Sequence, residues 1–171
     1  PPASLVPLPI AVRFQEAVAA AERGGAAQAD AEFVALAAAA PTLAGPSLNH
    51  GILLCRAQQW AEAEAALGEA LKRHGSSATA AAQLGVVYRQ LGRFAEAEQS
   101  YRRALELDAK DLRAHRNLGV LLDLYVQKPA EALAEYESTL ALAGGEDKQM
   151  SAWIAEIRQR LGAAQKSARA E

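Results

Sequence analysis

One thiol, three imidazoles and several closely spaced carboxylates and guanidiniums are the groups in this sequence that could do chemistry. Cys55 stands beside Arg56, and a positive neighbour favours the thiolate; the competing reading is a small, mostly buried apolar side chain. His50, His74 and His115 lie far apart, and none has a second His or a Cys at metal-ligand spacing, so no metal site is expected. His50 falls on a core register and reads as a satisfied, partly buried ring. His74 precedes Gly75 at a helix C-terminus, where a donor suits the exposed carbonyls, and His115 reads as surface. The carboxylate pairs Glu62/Glu64 and Glu96/Glu98 are two residues apart; on a helix such pairs splay to different sides, which describes solvated faces rather than an acid and base. Asp108 and Asp111 flank a helix junction, with Asp111 as the N-cap of a helix starting at Leu112. No glycine-rich phosphate loop, no Gly-x-Ser-x-Gly elbow and no His-Glu-x-x-His pair occurs. Neither catalysis nor a cofactor is expected.

The composition narrows the classes further. The chain has 171 residues with a net charge of −2, whereas a nucleic-acid binder usually carries a basic excess. A single cysteine excludes an intrachain disulfide framework. No apolar run nears the roughly 18 residues that span a bilayer. Alanine supplies 42 residues, about a quarter of the chain, against 5% aromatics, which points to closely packed helices rather than a β core. The start, Pro1 to Pro9 with four prolines and no initiating Met, reads as an extended leader, either a linker or a segment packed on a surface. That leader favours an exported, periplasmic or lipid-anchored domain over a cytoplasmic one. Arginine over lysine, 13 to 5, with the alanine content, suggests a bacterial source.

What positions these groups is a repeat. Gly51, Gly85 and Gly119 are 34 residues apart, with Ala17 one period earlier. Ala29, Ala63 and Ala97 keep the same interval, as do Phe33, Leu67 and Tyr101, and Val18, Ile52, Val86 and Val120. Within 78–111, Leu84, Val87, Tyr88 and Leu91 recur at i, i+3, i+4 and i+7, the stripe of an amphipathic helix. Gly92-Arg93 interrupts it, and a second stripe runs through Phe94, Ala97, Tyr101, Ala104 and Leu105. Each period is thus an antiparallel helix pair with a short turn; Gly85 and Ala97 let the backbones approach while Tyr88 and Tyr101 fill the space. Such a pair cannot bury its apolar face alone, so neighbours stack. The boundaries are 10–43, 44–77, 78–111 and 112–146, the last with one extra residue in the turn Tyr125 to Pro129. Trp153, Ile154, Ile157 and Leu161 form the stripe of a capping helix over 147–165, with Glu156, Arg158 and Arg160 on its wet side and a frayed tail over 166–171.

Leu84-Gly85-x-x-Tyr88, Gly92-Arg93-Phe94-x-Glu96-Ala97 and Tyr101-x-x-Ala104-Leu105 resemble the tetratricopeptide repeat. Repeat 78–111 departs from the family pattern at Ala81, where Trp is usual, and at Ala109, where Pro is usual. Repeat 44–77 has His50 in place of Leu, and 10–43 is the most divergent. The resemblance implies an all-α, right-handed superhelical solenoid of four helix-turn-helix repeats plus a cap.

It also implies a concave face, lined by the first helix of each repeat, on which a peptide or helix of another protein binds. In phase, Phe14, Val18, Leu48 and Ile52 make its N-terminal part apolar. Val86 and Val120 continue one row, and Arg89, Arg113, Arg116 and Asn117 make the C-terminal part polar and basic. Arg113 and Arg116 lie three apart and can point the same way to fork a carboxylate, or can pair with Asp123. Chaperone-binding members of the family clamp a C-terminal carboxylate with Lys and Asn; Val86 and Val120 stand where that clamp needs Asn, so this mode is not expected. The reading is a non-catalytic protein-interaction module with a protein partner, no nucleic acid and no cofactor. A structural adaptor of an envelope or secretion complex acting through its outer face, and a regulatory domain of a larger enzyme, stay open as alternatives.

Overall fold

The structure, a computed structural model, describes residues 8–168. Nine α-helices and no strand occur among them. The chain falls into two compact units, Pro1–Val87 and Tyr88–Glu171, with the boundary inside one helix. The first unit holds α1 (Leu8–Glu22), α2 (Ala26–Ala39), α3 (Ala44–Arg56), α4 (Trp60–Arg73) and most of α5 (Ala78–Gln90). The second holds the end of α5, then α6 (Phe94–Leu107), α7 (Leu112–Leu124), α8 (Pro129–Leu142) and α9 (Lys148–Ala168). In the first unit α1 packs on α2, α2 on α3, and α3 on α4; in the second α6 packs on α7, α7 on α8, and α8 on α9.

Two expectations at the chain ends change. The leader as far as Pro7 lies outside the described residues, but Leu8 and Pro9 open α1 rather than extend a leader. Proline is tolerated there because first-turn N–H groups have no intrahelical acceptor. At the other end α9 runs on to Ala168, past the expected stop at 165, and residues 169–171 lie outside the described range.

The 34-residue interval reappears in the core. Ala29, Ala63, Ala97 and Ala132 are fully buried, as are Leu36, Ala70 and Ala104 at a second register. Phe33, Leu67, Tyr101 and Tyr136 fill a third, each large side chain following a buried alanine by one helical turn. The small residue of the first helix has a steric function. A Cβ added to Gly51 would come within 2.6 Å of Leu67 on α4, and one added to Gly119 within 2.6 Å of the Tyr136 ring on α8. Only glycine fits where these helix pairs approach so closely.

The turns repeat as well. Gly24, Gln58 and Gly92 have positive φ at 34-residue spacing, and Gln127 has it at 35. The N–H groups of Gly25, Gln59 and Arg93 donate to the carbonyls of Ala20, Leu54 and Tyr88, the long backbone bond of a left-handed helix C-cap. In the fourth pair Lys128 N–H reaches Leu122 O at 2.8 Å, one residue further back, so the extra residue is absorbed in the turn, and Pro129 starts α8. The N-cap residues of α2, α4, α6 and α8, Gly25, Gln59, Arg93 and Lys128, carry no short acceptor side chain and make no side-chain cap. The longer junction before α7 has one: the Asp111 carboxylate accepts from Arg113 and Ala114 N–H at 2.9 and 3.0 Å, as expected.

Gly119→Ala should lower stability by roughly 1–3 kcal/mol by overpacking against Tyr136, outweighing the gain of up to ~1 kcal/mol in helix propensity. Gly68→Ala, in α4 with nothing within 4 Å of the new Cβ, should raise it by ~0.5–1 kcal/mol; urea unfolding of both variants checks the contrast. Left-handed backbone costs an L-residue about 1–2 kcal/mol, and part of that is recovered by glycine after its greater unfolded-state entropy is counted. Gln127→Gly should therefore stabilise by ~0.5–1 kcal/mol, read from the same unfolding curves.

Candidate functional site

The polar groups with chemical potential are mostly committed to structure. The Cys55 thiol is half-buried and burial pushes its pKa up, so the neighbouring Arg56, which is exposed, does not make it a thiolate. His50 Nε2 meets Asp30 Oδ1 at 2.9 Å, a satisfied and partly buried ring. His74 is the exposed C-cap of α4, its N–H donating to Ala70 O. His115 differs from expectation: its ring is 15% exposed, with Nδ1 2.7 Å from Glu135 Oε2 and Nε2 3.1 Å from Ala109 O. The first turn of α7 packs on α8, which turns this ring inward.

Glu98 also departs from the solvated face expected of it. It accepts from Arg102 on its own helix at 2.8 Å and from Lys128 at 3.2 Å, and Arg102 also holds Glu131 at 2.6 Å. Burial works to raise the Glu98 pKa, but the hydrogen bonds and charges of Arg102 and Lys128 outweigh it and hold it below the usual carboxylate range. This network ties the start of α8 to α6. Among the described residues no group of three His, Cys, Asp or Glu could hold a metal, and no helix is long and apolar enough to cross a membrane.

In the first unit, Phe14 and Val18 are partly buried against the core of Ala17, Ala20, Ala29, Phe33 and Leu53. The Phe14 ring lies 6.1 Å from that of Phe33 and lines a cavity of about 280 Å³ with Ile10, Leu43 and Pro46. Leu48, Ile52 and Val86 are half-buried on α3 and α5. In the second unit, Asn117 and Val120 are half-buried and Arg113 is exposed. Arg116 does not stand beside Arg113 as a second prong: its guanidinium lies over the Trp153 ring of α9, 5.5 Å from the centroid, and Trp153 packs on Tyr136. Asp123 is taken by Arg160 of α9 at 2.6 Å, so it pairs with neither. The capping helix, which no pairwise reading of α7 includes, decides both outcomes.

Arg89 stands apart from these. Its guanidinium lies 5.9 Å from the Tyr125 ring, and Tyr125 packs on Phe94 at 4.9 Å. The Arg89 charge works against burial at the Tyr101 hydroxyl, yet no hydrogen bond of good geometry closes between them. Tyr125 and Leu124 are 44% and 66% exposed, more open than any apolar residue of the expected groove. Sequence reading passed over them as turn residues. The signal was present in the register Arg23, Ala57, Leu91 and Tyr125, one per period, where the later repeats carry large apolar side chains instead of small or charged ones.

Stacked helix pairs at a fixed interval, without a catalytic constellation, define a helical-repeat protein. Residues 48–111 and 83–124 match the tetratricopeptide repeat family model. The match runs from α3 to the end of α7, residues 48–124. No curated protein matches its sequence. Its fold is similar to that of a MamA protein, with a TM-score of 0.79 at 18% identity over 94% of this chain and 86% of that one. Pseudomonas aeruginosa PilF has a TM-score of 0.78 at 20% identity, covering 90% and 69%. The first tetratricopeptide domain of Spaghetti (RPAP3), solved with an HSP90 peptide, has 0.65 at 21%, covering 70% and 93%. These likenesses are of fold.

Burial, chiefly, pushes the hydroxyls of Tyr101 and Tyr136 up to about 12. An unfolded tyrosine ionises near 10, so between pH 10 and 12 the unfolded chain loses protons that the folded chain keeps, and stability falls as pH rises. The loss should reach about 2–3 kcal/mol per tyrosine. Absorbance titration should show two of the four tyrosines ionising about two units late; Tyr101→Phe should remove one of them.

Proposed function

We propose that the chain is a non-catalytic interaction module that binds a segment of a partner protein along the first helices of its repeats. The observation that supports this is the state of those helices. Phe14, Val18, Leu48 and Ile52 in the first unit, and Asn117 and Val120 in the second, keep part of their surface open although they lie next to fully buried core residues. Half-open apolar side chains in a row are what a docking segment covers. The peptide-bound Spaghetti (RPAP3) domain shows that a protein of this fold can hold a peptide. A ligand of the first unit would be held by apolar side chains, and one of the second by apolar and cationic groups together.

The ionic component differs from the two-arginine clamp suggested by spacing. With Arg116 over Trp153, Arg113 acts alone and exposed, and a lone exposed ion pair is worth at most ~1 kcal/mol. The binding energy then rests on apolar contact, as in interfaces whose anchors are desolvated.

A random peptide library displayed against the intact protein tests the reading. Selected peptides should bind with micromolar or better affinity. Ile52→Asp or Val120→Asp should weaken the peptides that dock on that unit at least tenfold, while circular dichroism shows the helices retained. Arg113→Glu should change affinity less than threefold. Selected peptides whose affinity none of these substitutions alters would move the site to another face.

A further inference from the structure

Two buried polar atoms of the second unit have no hydrogen-bond partner, Arg89 Nε and the Tyr101 hydroxyl. Arg93, Arg102 and Arg160 of the same unit each hold a carboxylate, whereas the neighbours of the Arg89 guanidinium are the Tyr125 ring and the Tyr101 hydroxyl, with no ion pair to a described carboxylate. Buried donors are almost always satisfied, and one that is not calls for an explanation. Here the unpaired donor belongs to a half-buried cation, and a carboxylate is the acceptor that matches both its charge and its N–H geometry.

We propose that Arg89, with the Tyr101 hydroxyl close to it and the Tyr125 ring at its side, receives an aspartate or glutamate side chain that a partner protein carries next to an apolar residue. This rests on the interaction-module reading and gives that partner a chemistry. A carboxylate pairing side-on with a guanidinium takes Nε–H and one terminal N–H in parallel, so it supplies the acceptor that Nε lacks. Its remaining lone pairs suit the Tyr101 O–H. The apolar neighbour then covers the open part of the Tyr125 ring. An acidic side chain is favoured over a chain terminus because both unpaired atoms lie below the surface. A carboxylate on a flexible stem reaches them, whereas a main-chain carboxylate brings its own backbone with it. Tyr125, at the C-cap of α7 and half-open, is the ring that moves aside to admit it.

The probes are three dipeptides: N-acetyl-Phe-Glu amide, its Phe-Gln amide counterpart, and N-acetyl-Gln-Phe with a free C-terminus. The readout is the Arg89 Nε–H resonance in the intact, isotope-labelled protein. Phe-Glu amide should shift that resonance saturably in the millimolar range, and the other two should bind at least tenfold more weakly. Arg89→Lys, which keeps the charge and loses Nε, should lower affinity for Phe-Glu amide at least fivefold. Tyr101→Phe should weaken it twofold or more while leaving the thermal midpoint unchanged or raised, since it deletes an unpaired hydroxyl; a purely structural hydroxyl would leave binding untouched. Equal shifts from Phe-Glu and Phe-Gln amides, preference for the free terminus, or no saturable shift at Arg89 each overturns the proposal. Those outcomes leave the peptide-library selection to stand or fall by itself, because it reads binding at Ile52 and Val120 without reference to Arg89.

Discussion

The packing of the second and fourth helix pairs depends on one steric constraint, that the first helix must offer no side chain where the second helix presses a large one against it. Gly51 under Leu67 and Gly119 under Tyr136 leave less than a carbon's width to spare. The close approach lets alanine serve as a core residue: Ala63 and Ala132 are fully buried, although an alanine contributes little apolar area. A chain with a quarter alanine and few aromatics reaches a dense interior because its helices sit near enough for methyl groups to fill the gap.

That economy of large side chains affects the surface too. Each turn between the two helices of a pair is closed by backbone hydrogen bonds and one residue of positive φ, and not by side chains. Turn-side positions are therefore free to vary, and the second unit uses that freedom to place Tyr125 half in the open beside Arg89. Salt bridges work differently. Glu98, Arg102, Lys128 and Glu131 fasten α6 to the start of α8, and Arg160 and Arg158 fasten α9 to α7 and α8. Exposed pairs of this sort add little individually, but they determine which cations remain for a ligand. Arg116 lies over Trp153 and Asp123 pairs with Arg160, while Arg89 beside Tyr125 and the exposed Arg113 have no ion pair among the described residues.

Much of the architecture was legible beforehand. The interval from Gly51 to Gly119, the cap at Asp111, the satisfied ring of His50 and most of the stripe Leu84, Val87, Tyr88 and Leu91 follow from local rules, because they depend on residues a few positions apart or on strict repetition; Leu91, at the end of that stripe, is exposed. His115, Glu98 and Arg116 were misplaced. Each of them is settled by a residue 20 to 37 positions away, in Glu135, Lys128 and Trp153, and no periodicity ties those partners to it.

The sequence by itself determined that the chain folds into helix pairs, where they turn, and most of the face that each helix buries. Those properties are written in spacing, and spacing survives folding unchanged. Tertiary structure alone decided which polar groups are satisfied. Whether a guanidinium has a carboxylate, a ring or nothing beside it depends on distances set by how helices stack, to within an ångström or two, and hydrogen bonds and ion pairs lose their strength over that same range. Arg89 and Arg116 look alike in the sequence, two cations on the first helices of adjacent repeats. Only the packing of Trp153 over one and of Tyr125 over the other made them different.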